Sequence, residues 1–62
     1  MTTLLRLPAV KDRTGLSRSK IYELLDADAF PRPVKLSGRV NAWPDNEVDA
    51  WIKARLQERE AA

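Results

Sequence analysis

Gly15 and Ser17, two positions apart, constrain this chain more than any other pair of residues. Glycine has no Cβ and so can take the left-handed conformation that ends a helix. Serine can accept a hydrogen bond from the free amides of a following first turn. A helix stop and a helix start with one leucine between them imply two helices joined by a tight turn. Downstream, Ile21, Leu24 and Leu25 fall at i, i+3 and i+4 and make one apolar face. Arg18, Ser19, Tyr22 and Glu23 point elsewhere. Residues 13–25 therefore read as a helix-turn-helix whose second helix starts with basic and hydroxyl-bearing side chains. Such a start suits a DNA groove.

The remaining constraints come from what is absent. Sixty-two residues make one domain, and a chain of this size buries only about 60% of its unfolded surface. There is no cysteine, hence no disulfide and no thiolate-held zinc, and no histidine, the commonest metal ligand and general base. The first residues are too short and polar a run for a signal peptide. No apolar stretch approaches the ~20 residues that cross a bilayer. A soluble, cytoplasmic and nucleoid-associated protein with no membrane partner is expected. The net charge of +2 is unevenly placed. Residues 1–44 hold eight Lys/Arg against four Asp/Glu, and residues 45–62 hold three against five. A basic front suits a polyanion, because neutralised phosphates release counterions.

In chain order, Met1 to Arg6 reads as an arm or short strand. Pro8 suits a first helical turn, so a first helix is expected over about 8–13, burying Leu7 and Val10 with Leu16 following in the turn. Lys11 and Arg13 fall near its exposed side, within reach of a DNA backbone or simply solvated. The second helix covers about 18–28. Its acids, Asp26 and Asp28, lie at the end where the helix dipole disfavours them, which keeps them away from the basic start. Phe30-Pro31-Arg32-Pro33 cannot be helical. It reads as an extended connector with Phe30 plugging the core.

Val34-Lys35-Leu36 and Val40-Asn41-Ala42-Trp43 flank Ser37-Gly38-Arg39, the pattern of a β-hairpin. A three-residue loop pairs Leu36 with Val40, Lys35 with Asn41 and Val34 with Ala42. It keeps the apolar residues on one face and leaves Arg39 at the tip. A basic hairpin over about 34–43 following a helix-turn-helix is a wing. A last helix over about 45–58 opens at Pro44 or Asp45, with Asp45, Glu47 and Asp49 complementing its dipole. Val48, Trp51, Ile52 and Leu56 form its apolar stripe, with Trp51 read as a core residue rather than one that stacks on a ligand, and Gln57 to Ala62 is expected to fray.

These residues together resemble a known family. Leu-Arg-Leu-Pro-Ala-Val, Arg-Thr-Gly-Leu-Ser-Arg-Ser-Lys-Ile-Tyr, Phe-Pro-Arg-Pro-Val-Lys-Leu and Trp-Pro-Asp-Asn-Glu-Val-Asp-Ala-Trp-Ile are similar to the AlpA family of phage and prophage transcriptional regulators. That family belongs with the MerR-like and excisionase-type winged helix-turn-helix domains. The resemblance covers Leu5 to about Arg55. It implies a mainly α domain of three helices plus a wing, residues 1–62 acting as one DNA-binding unit near mobile-element genes. The recognition-helix role falls on Ser17, Arg18, Ser19, Lys20 and Tyr22, and the wing role on Lys35, Ser37, Gly38 and Arg39. The sequence departs from the pattern in the second wing strand. There the resemblance implies an apolar β-branched residue closer to Trp43 than Val40, and Asn41 stands instead.

The expected function is sequence-specific binding of double-stranded DNA, with the second helix in the major groove and the wing on the adjacent minor groove or backbone. Arg18 is the expected base reader, since a guanidinium can pair with both acceptors of guanine. Lys20, Lys35 and Arg39 are expected on phosphates. Ser17 and Ser19 can bond phosphate or base, although Ser17 is also the cap. Tyr22 either lays its hydroxyl on a phosphate or covers the core edge. A unit this small reads few base pairs, so a homodimer or cooperative assembly on repeated sites is expected. Two alternatives stay open: an excisionase-like factor that bends DNA, and a protein-interaction module docking a recombinase or RNA polymerase. Without histidine, cysteine or a Gly-rich phosphate loop the chain does not read as an enzyme, and no cofactor or metal is expected.

Overall fold

The computed structural model describes residues 1–61. They form β1 (Leu4–Leu5), α1 (Leu7–Thr14), α2 (Arg18–Asp26), β2 (Val34–Ser37), β3 (Val40–Pro44) and α3 (Asp45–Ala61). The strands make one antiparallel sheet in the order β1-β3-β2. Three helices with this small sheet are a winged helix-turn-helix.

The turn forms as local chemistry dictates. Gly15 adopts φ 73° and its N–H donates to the Lys11 carbonyl, closing α1. The Thr14 hydroxyl donates to the Val10 carbonyl at 2.8 Å and accepts from the Leu16 N–H at 3.2 Å, holding the chain through the corner. Ser17 then caps α2, its Oγ accepting from the Lys20 N–H at 3.2 Å.

The second helix stops at Asp26, two residues before the sequence suggests, and its ending has a definite form. The Ala29 N–H donates to the Leu24 carbonyl at 2.8 Å and the Asp28 N–H to the Leu25 carbonyl at 3.1 Å. Asp28 stands between them at φ 59°. This is the Schellman pattern, with aspartate in the left-handed position that glycine usually takes.

β1 is tied down at both its neighbours. Leu4 and Leu5 pair with Pro44 and Trp43. The Thr3 N–H donates to Asp45 Oδ1 at 3.1 Å, and the Asp45 N–H returns a bond to the Thr3 carbonyl at 2.8 Å. The arm is thereby fastened to the start of α3.

The core takes a residue from every element except β2: Leu5, Val10, Ile21, Ala42, Trp43 and Val48, with Phe30 of the connector as the expected plug. Each such aliphatic or aromatic side chain contributes about 1.5–3 kcal/mol by leaving water. Trp51 packs against this core as expected but is only half-buried, and the fully enclosed indole is Trp43. The reason is topological. β3 runs between two partner strands, and its end is covered by helices as well, whereas Trp51 lies one helical turn out, where α3 begins to leave the body. The stripe of α3 fades along its length accordingly: Val48 is enclosed, Ile52 half-buried and Leu56 exposed. Residues 57–61 remain helical rather than frayed, supported by an Arg55–Glu58 ion pair at 2.8 Å. Ala62, the last of the positions expected to fray, lies outside the described residues.

The wing differs from its expected register at one position. Val34 pairs with Ala42 and Lys35 with Asn41, as the alternation implies, but Ser37 rather than Leu36 faces Val40. An irregularity between Lys35 and Ser37 absorbs the extra residue, as a β-bulge does. It shortens the loop to Gly38 and Arg39, with Gly38 at φ 50° in the first turn position, where tight two-residue hairpins favour glycine. Val34 and Leu36 are exposed rather than turned to the core with Ala42. β2 is an edge strand with no layer beneath it, so its apolar residues have nothing to pack against.

Candidate nucleic-acid interface

All nine site residues expected from the sequence lie on the surface. They fall into two groups. Ser19 and Lys20 lie in the first turn of α2, which carries no acidic residue, and Ser17 is its N-cap. Ser17 Oγ already serves as the cap, and Lys20 Nζ lies 3.4 Å from Glu23 Oε1. That exposed pair is weak and can give way to a stronger partner. Lys35 and Ser37 lie on β2, with Gly38 and Arg39 at the wing tip.

The remaining two, Arg18 and Tyr22, connect the groups. The Arg18 guanidinium lies 5.6 Å from the centre of the Tyr22 ring, a cation–π contact that restrains both side chains. Together with Arg39 they line a cleft of about 200 Å³ between the start of α1, the start of α2 and the wing. The sequence reading missed two other residues of this cleft, Arg6 and Asn41, and buried Trp43 backs it. No acidic residue lines it.

The fold explains the convergence. Arg6 directly follows Leu5, which pairs with Trp43, so β1 delivers Arg6 to the side of β3. Arg6 also opens α1, its carbonyl accepting from the Ala9 and Val10 N–H groups at 3.0 and 3.1 Å. Asn41 lies two residues before Trp43 and shares its face of the strand, opposite Lys35. The signal that could have found Asn41 was its own polarity between Val40 and Ala42. Arg6 had no comparable local signal, since its position depends on a pairing with a strand almost forty residues away.

What marks this cleft is the meeting of three guanidiniums with no acidic residue in its lining. Arg13, Lys20, Arg32 and Arg55 each lie within 4 Å of a carboxylate. Arg13 reaches across to Asp49 at 2.9 Å and links α1 to α3, so it is engaged within the fold. Among the described residues Arg6, Arg18 and Arg39 have no such partner, and neither do Lys11, Lys35, Lys53 and Arg59, which lie outside the cleft. Asn41 Oδ1 is also the one buried side-chain polar atom among the described residues that lacks a hydrogen bond. An orphaned acceptor of this kind costs about 1–3 kcal/mol.

A larger hollow runs beside Phe30, Trp51 and Arg55. It is flanked by Asp28 and Glu47 as well as arginine, so its charge is mixed. Among the described residues no group of side chains is arranged to hold a metal ion, and no helix is long and apolar enough to cross a membrane.

Comparison with known proteins agrees with the resemblance read from the sequence. The family model of the prophage CP4-57 regulatory protein AlpA matches residues 3–56. An uncharacterized protein, ORF88 of Enterobacteria phage P4, is 47% identical over 55 residues, covering 89% of this chain. The chain spans 62% of that relative's length. The DNA-binding transcriptional activator AlpA of Escherichia coli K12 is 34% identical over 60 residues, covering 87% of this chain and 86% of its own. No solved structure matches the chain.

Proposed function

Because the chain belongs to the AlpA family of prophage regulatory proteins, we propose that it is a sequence-specific double-stranded DNA-binding regulator of phage or prophage transcription. Residues 1–62 act as one DNA-binding domain. The start of α2 enters the major groove, and the wing lies on the adjacent minor groove or backbone. The observation that carries this reading is the meeting of both elements at an acid-free cleft of unpaired arginines. The relative from Escherichia coli, described as a DNA-binding transcriptional activator, supports it.

Arg18 reads a base, held in a restricted set of orientations by the Tyr22 ring. Ser19 and Lys20 bind the strand beside it. Ser17 divides its hydroxyl between the cap and a phosphate, since an oxygen that accepts from an amide can still donate. Lys35, Ser37, Gly38 and Arg39 engage the backbone through the wing. Two or more copies assemble on repeated half-sites, because one domain of this size contacts few base pairs.

Selection of bound sequences from a random pool of duplexes tests the reading. The expected result is a short enriched motif, occurring as a repeat. A pool recovered without enrichment would reduce the protein to an architectural DNA binder, and recovery of no DNA would leave the protein-docking alternative.

A further inference from the structure

We propose that the cleft between α1, α2 and the wing seats one phosphodiester of the DNA backbone, with Arg6 and Arg39 as its charged arms and the Asn41 side-chain amide at its wall. The inference rests on the DNA-binding reading and adds to it a residue, Arg6, from outside both the helix-turn-helix and the wing.

Several independent features point to a phosphate. Three guanidiniums are gathered at one concavity, and none has a carboxylate partner among the described residues. A guanidinium offers paired donors that match two phosphate oxygens. The volume of about 200 Å³ has room for several waters at their liquid share of about 30 Å³ each, hence for a phosphate group. Asn41 lies in the wall of this same cleft. Its amide nitrogen carries two N–H donors of the kind an anion takes, whereas its unpartnered Oδ1 is an acceptor and has no part in the seat.

The position of the cleft explains why the phosphate belongs to DNA. Its rim is shared by the first residue of α2 and the wing tip, the two elements that approach a duplex. A strand running from one to the other passes over the cleft. Arg6 is fixed there from two directions, by the pairing of β1 with β3 and by the start of α1, so the phosphate sets the register of the domain on its site. Arg18, stacked on Tyr22 at the rim, stays available for the base.

The test uses the intact chain and the duplex it selects. That duplex is made with a single neutral methylphosphonate at each backbone position in turn. At one position, or two adjacent ones, wild-type binding is expected to weaken about tenfold, as for loss of one charge-assisted contact. Arg6→Gln is expected to weaken binding to the unmodified duplex by about the same factor and to become insensitive to the substitution at that position. Arg6→Lys, which keeps the charge, should recover part of the loss. A match between the thermal unfolding of Arg6→Gln and that of wild type excludes a folding defect. If Arg6→Gln binds as wild type does, or keeps the full methylphosphonate profile, the proposal is overturned.

A second arm separates this proposal from the DNA-binding reading beneath it. Side-chain N–H signals of Arg6, Arg39 and Asn41 are followed by NMR as sodium phosphate replaces sodium chloride at constant ionic strength. Saturable shifts at these groups, lost in Arg6→Gln, support an anion seat. Shifts equal in both salts overturn it. Saturable shifts in a protein that binds no duplex would make the cleft a small-anion site and overturn DNA as the source of the phosphate.

Discussion

Trp43 borders two regions that treat their polar groups in opposite ways. On the connector side, polar groups are matched. The Trp43 Nε1–H donates to the Pro31 carbonyl at 2.9 Å and the Trp51 Nε1–H to the Ala29 carbonyl at 2.8 Å. Between these two bonds Phe30 is enclosed, its ring edge-on to Trp51 with centroids 5.0 Å apart. On the cleft side, three guanidiniums lack carboxylates and the Asn41 oxygen lacks a donor among the described residues. The first region is finished by the chain itself. The second is left incomplete, at a cost in stability, and that is the mark of a surface whose partner comes from outside.

Four substitutions test whether the two regions behave as differently as their polar groups suggest. The largest effect belongs to the residue common to both sides. Trp43→Ala removes the central core ring and one of the connector bonds, and should destabilise the fold by about 3–5 kcal/mol. That is a large share of the total stability of a small domain, and denaturant unfolding followed by circular dichroism would measure it. A loss near 1 kcal/mol would mean that Trp51, and not Trp43, anchors the core.

Arg18→Ala comes next and acts on the cleft side alone. It should weaken DNA binding by roughly 1–3 kcal/mol and relax the preference at one base pair, with unfolding unchanged. An equal loss on every sequence would make Arg18 a phosphate contact. Asn41→Val inverts the sign. It removes the orphaned acceptor and supplies a β-branched residue to a strand, so stability should rise by about 1 kcal/mol while affinity for DNA falls. A gain in both would show that the amide has no part in binding.

The smallest effect is expected on the connector side. Asp28→Gly relieves the left-handed strain at the end of α2 and should stabilise by about 0.5–1 kcal/mol. The exposed Asp28–Arg32 pair that it removes is worth little. Affinity for DNA should not move, and a change there would mean that the two regions are coupled.

What could be read from the sequence follows the range of the interactions. The Gly15–Ser17 turn, the α2 face, the connector and the hairpin are written in neighbouring residues: a cap, a stop, a proline pair, an alternation. That Trp43 is the most deeply enclosed indole was not legible. It depends on β1 crossing to pair with β3, and two-residue Leu4–Leu5 carries no periodicity of its own. Arg6 was hidden for the same reason. The wing register failed at Leu36 because the expectation of a buried apolar face presumed a layer under β2 that the fold does not provide. The end of α2 was overrun because aspartate is a far weaker left-handed signal than glycine.

Sequence-specific binding is tested most directly by fluorescence anisotropy of the chain titrated onto its selected duplex and onto a scrambled duplex of equal length, at a series of salt concentrations. Preference for the selected duplex by roughly a thousandfold or more at physiological salt, with both affinities falling steeply as salt rises, is the predicted result. Equal affinities for the two duplexes, or binding to neither, would contradict it.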